Sequence, residues 1–173
     1  MATIDFLREE GLKITAFFYN PNIEPTERQK RKEAWETVCK VKNVQILSLE
    51  GELDMIRLEA ERCSFCFDER LAKTSITAKK LGFKWFTTSL LISSYQKHDL
   101  LKKTGLAFEG FKYFDLRHLN ANSQTQAKTL GVYRQKYCGC PFSLEESKWL
   151  MKRKEEICRP KQGPCEEWKP RWL

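Results

Sequence analysis

Apolar residues along this chain gather in short dense runs, separated by longer stretches in which they return every three or four positions. Four runs read as buried strands: Ile-Thr-Ala-Phe-Phe-Tyr at 14–19, Val-Gln-Ile-Leu-Ser-Leu at 44–49, Trp-Phe-Thr-Thr-Ser-Leu at 85–90 and Phe-Lys-Tyr-Phe-Asp at 111–115. The stretches between them predict helices at 26–41, at 53–81 with a break near Arg62, at 94–104 and at 123–136. A last helix at 143–157 is expected to start from a capping box of Ser143 and Glu146. Strands alternating with helices predict an α/β fold around a parallel, doubly wound sheet.

Such a sheet puts its ligand site at the carboxyl ends of its strands. There the chain carries Tyr19-Asn20-Pro21-Asn22, Thr88-Ser89 and Asp115-Leu116-Arg117. The first element, however, is an amphipathic helix over 3–10 (Ile4, Phe6, Leu7, stopped by Gly11), where this topology calls for a strand. The first strand is therefore expected to be missing, which would leave its neighbours with unpaired edges.

The composition, 41% hydrophobic with 11 Phe and 5 Trp in 173 residues, provides for one core. Residues 1–157 are expected to form a single domain, followed at 158–173 by a basic tail containing Pro and Trp that docks on it. Seven cysteines, an odd number, follow a start without a basic-then-apolar leader, which predicts reduced thiols in the cytoplasm in preference to a secreted disulfide framework. No apolar run approaches the roughly 20 residues a spanning helix needs, so no membrane partner is expected. The net charge of +8 is segregated: residues 79–103 carry six Lys against one acid, whereas 50–70 carry seven acids against three Arg. Segregated basic charge suits a polyanionic partner, although solvated Lys-rich helix faces are common.

Candidate chemistry lies in two cysteine pairs. Cys63 and Cys66 are one helical turn apart and can face one ligand, but two thiolates are half of a four-ligand zinc or iron–sulfur site. The remainder could come from Cys138 and Cys140, from Cys39, from Cys158 and Cys165, or from residues not present; two buried apolar cysteines are the plainer alternative. In Cys138-Gly139-Cys140 the thiols are one residue apart, Gly tolerates the backbone that a short disulfide ring imposes, and Arg134 and Lys136 favour thiolate. Asp115 and Arg117, with His118, could position a substrate or pass protons, although a salt bridge is the commoner outcome. His98 is expected to be exposed.

Phe18-Tyr19-Asn20-Pro21-Asn22-Ile23, Arg62-Cys63-x-x-Cys66-Phe67 with Arg70-Leu71, Asp115-x-Arg117 and Tyr133-Arg134-Gln135-x-Tyr137-Cys138-Gly139-Cys140, in this order, resemble the QueH-type epoxyqueuosine reductases. The resemblance spans about 1–145 and implies a Rossmann-like fold, a [4Fe-4S] cluster, and reduction of epoxyqueuosine to queuosine at the wobble position of tRNA, with electrons from a donor it does not identify. It implies Cys63 and Cys66 as cluster ligands, Cys138 and Cys140 as a redox-active pair that also approaches a second metal ion, and a pocket formed by Tyr19, Asn20, Asp115, Arg117, Arg134 and Gln135. The pattern differs at Glu24, where the family tends to have His, and at Leu116-Arg117-His118, where Phe-Arg-Lys is usual. It also includes an N-terminal strand with a Cys-Cys pair that completes the cluster. The chain is expected to start at an internal Met downstream of that strand, the alternatives being a natural fragment that has lost its cluster or replacement ligands in Cys39, Cys158 or Cys165, and its activity is expected to suffer. The competing class is a non-enzymatic zinc- and nucleic-acid-binding module with Cys63, Cys66, Cys138 and Cys140 as its four ligands.

Overall fold

The computed structural model describes residues 1–49 and 62–158, the side chains of 154–158 excepted. It opens with α1 (Ala2–Glu9), which buries Leu7 and turns out at Gly11. β1 (Thr15–Phe18) follows, then α2 (Pro25–Val41). α2 starts where it does because the Glu24 carboxylate accepts the free N–H groups of Thr26 (3.1 Å) and Glu27 (3.0 Å) and Pro25 fills the first helical position. β2 (Gln45–Ser48) lies parallel to β1 in the register Thr15↔Gln45 to Phe18↔Ser48. Parallel strands need a crossover, and α2 provides it.

α3 (Arg62–Lys80) realises the described part of the helix expected at 53–81; residues 53–61 and the tail from 159 lie outside the described residues. α4 (His98–Leu106), α5 (Asn120–Thr129) and α6 (Pro141–Cys158) complete a mixed α/β fold with parallel pairing, as the hydrophobic pattern predicts. No described helix is long and apolar enough to cross a membrane.

Several expectations are corrected. The runs at 85–90 and 111–115 are extended but form a single parallel bridge, Phe86↔Phe111, closed by Phe86 N–H to Gly110 C=O (3.0 Å) and Lys112 N–H to Phe86 C=O (2.8 Å). The first run stops pairing because the Thr88 hydroxyl accepts the Leu90 N–H and rolls the chain into a 3₁₀ turn, Ser89–Ile92. α5 ends at Thr129, ahead of a left-handed Gly131, so the rest of the segment predicted to 136 is loop. α6 begins two residues before Ser143, and its cap is Cys140, whose sulfur accepts the Ser143 N–H at 3.4 Å; Glu146 pairs instead with Arg62. His98 is buried, with Nε2 at 2.9 Å from Ser93 C=O.

The main core joins Phe67 and Leu71 of α3 to Leu91, Leu101 of α4, Phe111 and Leu116. Phe86 and Phe111 meet edge to face at 5.6 Å. Among the described residues β1 pairs with β2 alone. A groove of about 830 Å³, lined by β1 residues and by the 83–90 segment, carries the sheet edge toward the loops described next.

Candidate functional site

The first cysteine pair occupies the opening turn of α3. Cys66 is buried and its sulfur lies 3.2 Å from Arg70 Nε, one turn on. The rest of that guanidinium donates to Asn20 Oδ1 and to Pro21 C=O (3.3 Å), so one arginine ties the helix to the loop at the end of β1. Within that loop Asn22 adopts a left-handed backbone (φ 59°) and is 4% exposed. Neither atom of its buried carboxamide has a protein partner among the described residues.

The second pair is held from a distance. Arg31 of α2 donates to the carbonyls of Cys138 (2.8 Å) and Tyr137 (2.9 Å), and its Nε is fixed by Glu27 Oε1 at 2.7 Å. The other Glu27 oxygen accepts the Tyr133 hydroxyl at 2.7 Å. Burial and that carboxylate push the Tyr133 phenol up to about 12. Gly139 sits at φ 120°, and a Cβ there would fall 2.7 Å from Ile23 Cδ1 and 2.9 Å from Arg31 Nη1. Only glycine fits so close a pass of backbone over α2.

Cys138 and Cys140 are both free thiols. Their proximity separates their acidities: the neighbouring sulfur and burial raise Cys138, whereas Cys138 and Ser143 lower Cys140 despite some burial. Cys140 gains further from Ser143 and from its place at the amino end of α6, where the helix dipole favours an anion. Cys140 is thus the more acidic thiol of the pair.

An ion pair between Arg62 and Glu146 joins the start of α3 to the first turns of α6, with the Arg62 guanidinium 5.2 Å over the Phe142 ring. Cys63, Cys66, Cys138 and Cys140 consequently line one small cavity of about 20 Å³, together with Asn22. Arg70, Gln96 and Cys138 border both this cavity and the large groove. Among the described residues no three of His, Cys, Asp and Glu stand close enough to share an ion.

Of the residues predicted from sequence, Tyr19, Asn20 and Gln135 line the groove that reaches Cys138. Tyr19 donates to Glu69 at 2.6 Å. Asp115 and Arg117 instead pair with each other at the surface, Nε to Oδ1 at 2.8 Å, and neither lines a cavity. That guanidinium holds the Asp115 carboxyl well below the usual carboxylate range. Arg134 is exposed and lines neither cavity. Cys39 is buried within α2, also away from both, while the side chain of Cys158 and all of Cys165 lie outside the described residues.

Sequence reading missed Glu27, Arg31 and Gln96. The first two are four apart on a helix and look like an ordinary surface pair; their contacts 106 and 107 residues away leave no local signal. Gln96, whose amide lies 3.9 Å from Cys138 sulfur, had none either.

Comparison with known proteins points to one family. A family model described as epoxyqueuosine reductase QueH matches residues 1–146. A Dehalococcoides mccartyi protein named epoxyqueuosine reductase QueH is 34% identical over 157 residues, 82% of this chain and 84% of that protein. The protein of that name from Thermotoga maritima is 32% identical over 151 residues, 75% of this chain and 79% of its own length. The Helicobacter pylori protein is 34% identical over 161 residues, which cover 80% of this chain but 44% of that longer protein.

Proposed function

The chain belongs to the QueH family of epoxyqueuosine reductases, and from that premise we propose that it reduces the epoxide of epoxyqueuosine in tRNA to the alkene of queuosine. One observation carries this reading: four thiols from two distant segments line one cavity, which shares Cys138, Arg70 and Gln96 with a groove large enough for a nucleoside.

Removing an epoxide oxygen as water takes two electrons and two protons. The Cys138/Cys140 pair, as one thiol and one thiolate, can supply both electrons and one proton on oxidation to a disulfide; the second proton comes from water, and an external donor must then reduce the disulfide. The polarity of the pair suits this role: Cys140 is the nucleophilic thiolate and Cys138 keeps the proton. Arg31 and Gly139 hold the backbone of the pair, and Gln96 lies against the Cys138 sulfur. Tyr19, Asn20 and Gln135 are the groove residues placed to orient the nucleoside. Asp115 and Arg117, already paired, would meet the substrate only outside the groove.

Soft thiolates are the right donors for an iron–sulfur cluster, and Cys63 and Cys66 are the residues here that would hold one; the partnerless amide of Asn22 beside them is a polar group such an occupant could satisfy. When bound, a cluster supplies electrons or Lewis-acid help to the leaving oxygen.

The test is nucleoside analysis of tRNA from a host that accumulates epoxyqueuosine and expresses this chain, with Cys138→Ser and Cys140→Ser as controls. Conversion by the parent and not by the controls is expected. Unchanged epoxyqueuosine with iron-loaded protein defeats the proposal. Bound zinc without iron, and no conversion, would favour a non-enzymatic zinc- and nucleic-acid-binding module instead.

A further inference from the structure

Away from the thiols, the groove is bordered by a cluster of different character. Lys84 and Lys112 place their ammonium groups 5.1 and 4.9 Å from the centre of one ring, that of Trp85. The placement follows from the bridge between the two extended segments. With Phe86 and Phe111 paired and turned into the core, the alternation of a strand sends Trp85 and Lys112 to the opposite face. Trp85 is 44% exposed there, and Phe83 beside it is also exposed.

Two like charges at one ring repel each other, and each cation–π contact at an exposed site is worth only about 0.5–1 kcal/mol. Among the described residues neither lysine forms an ion pair. The acidic residues on either side of Lys112 in sequence are turned elsewhere, Glu109 to Lys79 at 3.8 Å and Asp115 to Arg117. The surrounding sequence reinforces the field: residues 79–112 hold seven lysines against Asp99 and Glu109. Lys84, Trp85 and Lys112 border the same groove as Asn20, Gln135 and Cys138.

We infer that Lys84, Trp85 and Lys112 form a clamp for the phosphate backbone of the RNA strand that carries the reacting nucleoside, so that the groove takes phosphate at this end and the base toward Cys138. The indole holds both ammonium groups near one ring, and an RNA phosphate supplies the counter-charge that the protein leaves out. The inference rests on the reading that the substrate is a nucleoside within RNA.

It is tested by fluorescence anisotropy of a labelled RNA hairpin with a single-stranded loop, titrated with the full chain at several salt concentrations. Lys84→Gln with Lys112→Gln is expected to weaken binding and to flatten the plot of log affinity against log salt by about 1.4, at about 0.7 per phosphate contact on a single strand. Lys79→Gln with Lys80→Gln removes the same charge at the end of α3 and is expected to leave most of the slope. Equal losses in the two double variants would overturn the inference, since net charge alone would then explain binding, and so would an unchanged slope in the first. Trp85→Phe keeps an aromatic face and is expected to bind between the parent and Trp85→Ala; indistinguishable binding of all three also overturns it. The functional reading fails separately: hairpin binding that depends on Lys84 and Lys112 without epoxyqueuosine reduction keeps the clamp and defeats the reductase. Reduction with unchanged KM in the Lys84/Lys112 variant does the reverse.

Discussion

At the scale of single residues, the site depends on two positions that do no chemistry. Gly139→Ala would set a Cβ against Ile23 and Arg31 in a backbone region that costs an L-residue about 1–3 kcal/mol. Lower thermal stability and loss of epoxyqueuosine conversion are expected together, read by calorimetry and tRNA nucleoside analysis. Arg31→Met leaves the Glu27 carboxylate buried without its cation, which should cost about 3–5 kcal/mol in urea unfolding. Adding Glu27→Gln should return part of that loss, because the uncompensated charge is gone. The cysteines offer a chemical readout. Cys140, held as thiolate, should be alkylated by iodoacetamide at pH values where Cys138 is silent, and Ser143→Ala should slow that labelling. Peptide mapping after short exposure distinguishes the two sites. The identities of the thiols were legible in the sequence because spacing encodes their chemistry. Their supports were not: Arg31 and Gln96 act across distances that no local pattern records.

Among the elements, helices were more legible than strands. The helical segments carry their own punctuation, with Glu24-Pro25 ahead of α2 and Gly82 after α3, and the structure respects it; the exception is the helix expected at 123–136, which stops at Thr129, ahead of Gly131. The runs at 85–90 and 111–115 have strand composition, yet pairing depends on a neighbour's edge, which composition cannot supply, and one bridge is what they form. The cap of α6 was misread because a cysteine is an unusual acceptor and Ser143 a common one. How α1 is held makes a pH prediction. Asp5 accepts Lys42 Nζ at 2.7 and 2.8 Å; burial alone would raise its pKa, but Lys42 and Gln126 more than offset that and lower it. A carboxyl with a depressed folded pKa stabilises fully above its unfolded value near 3.9, and the contribution is lost as pH falls through the lower folded value. Urea midpoints of the parent and Asp5→Asn should therefore differ at pH 6 and converge toward pH 2.

For the molecule as a whole, the unequal charge that the sequence displayed acquires a location. Basic residues border the groove, which reaches Cys138, so RNA affinity should fall steeply with salt while thiol alkylation of the free protein stays nearly constant. The alternation of apolar runs conveyed the α/β class and the parallel pairing, whereas the meeting of the two cysteine segments depends on α3 and α6 being joined by Arg62 and Glu146, a contact 84 residues apart.

The tie from Arg31 to the Tyr137 and Cys138 carbonyls also has a kinetic side. Contacts that close so long a loop form late, and on a ribosome α2 is made well before the segment it must grip. Until then the four cysteines of the cavity are unpaired thiols on a moving chain, open to whatever oxidant is present. Refolding in glutathione disulfide should accordingly trap disulfides of Cys66 that the finished protein, in which Cys66 is buried, does not form with the same reagent. The interval before Arg31 closes on Cys138 is when this protein is most easily lost.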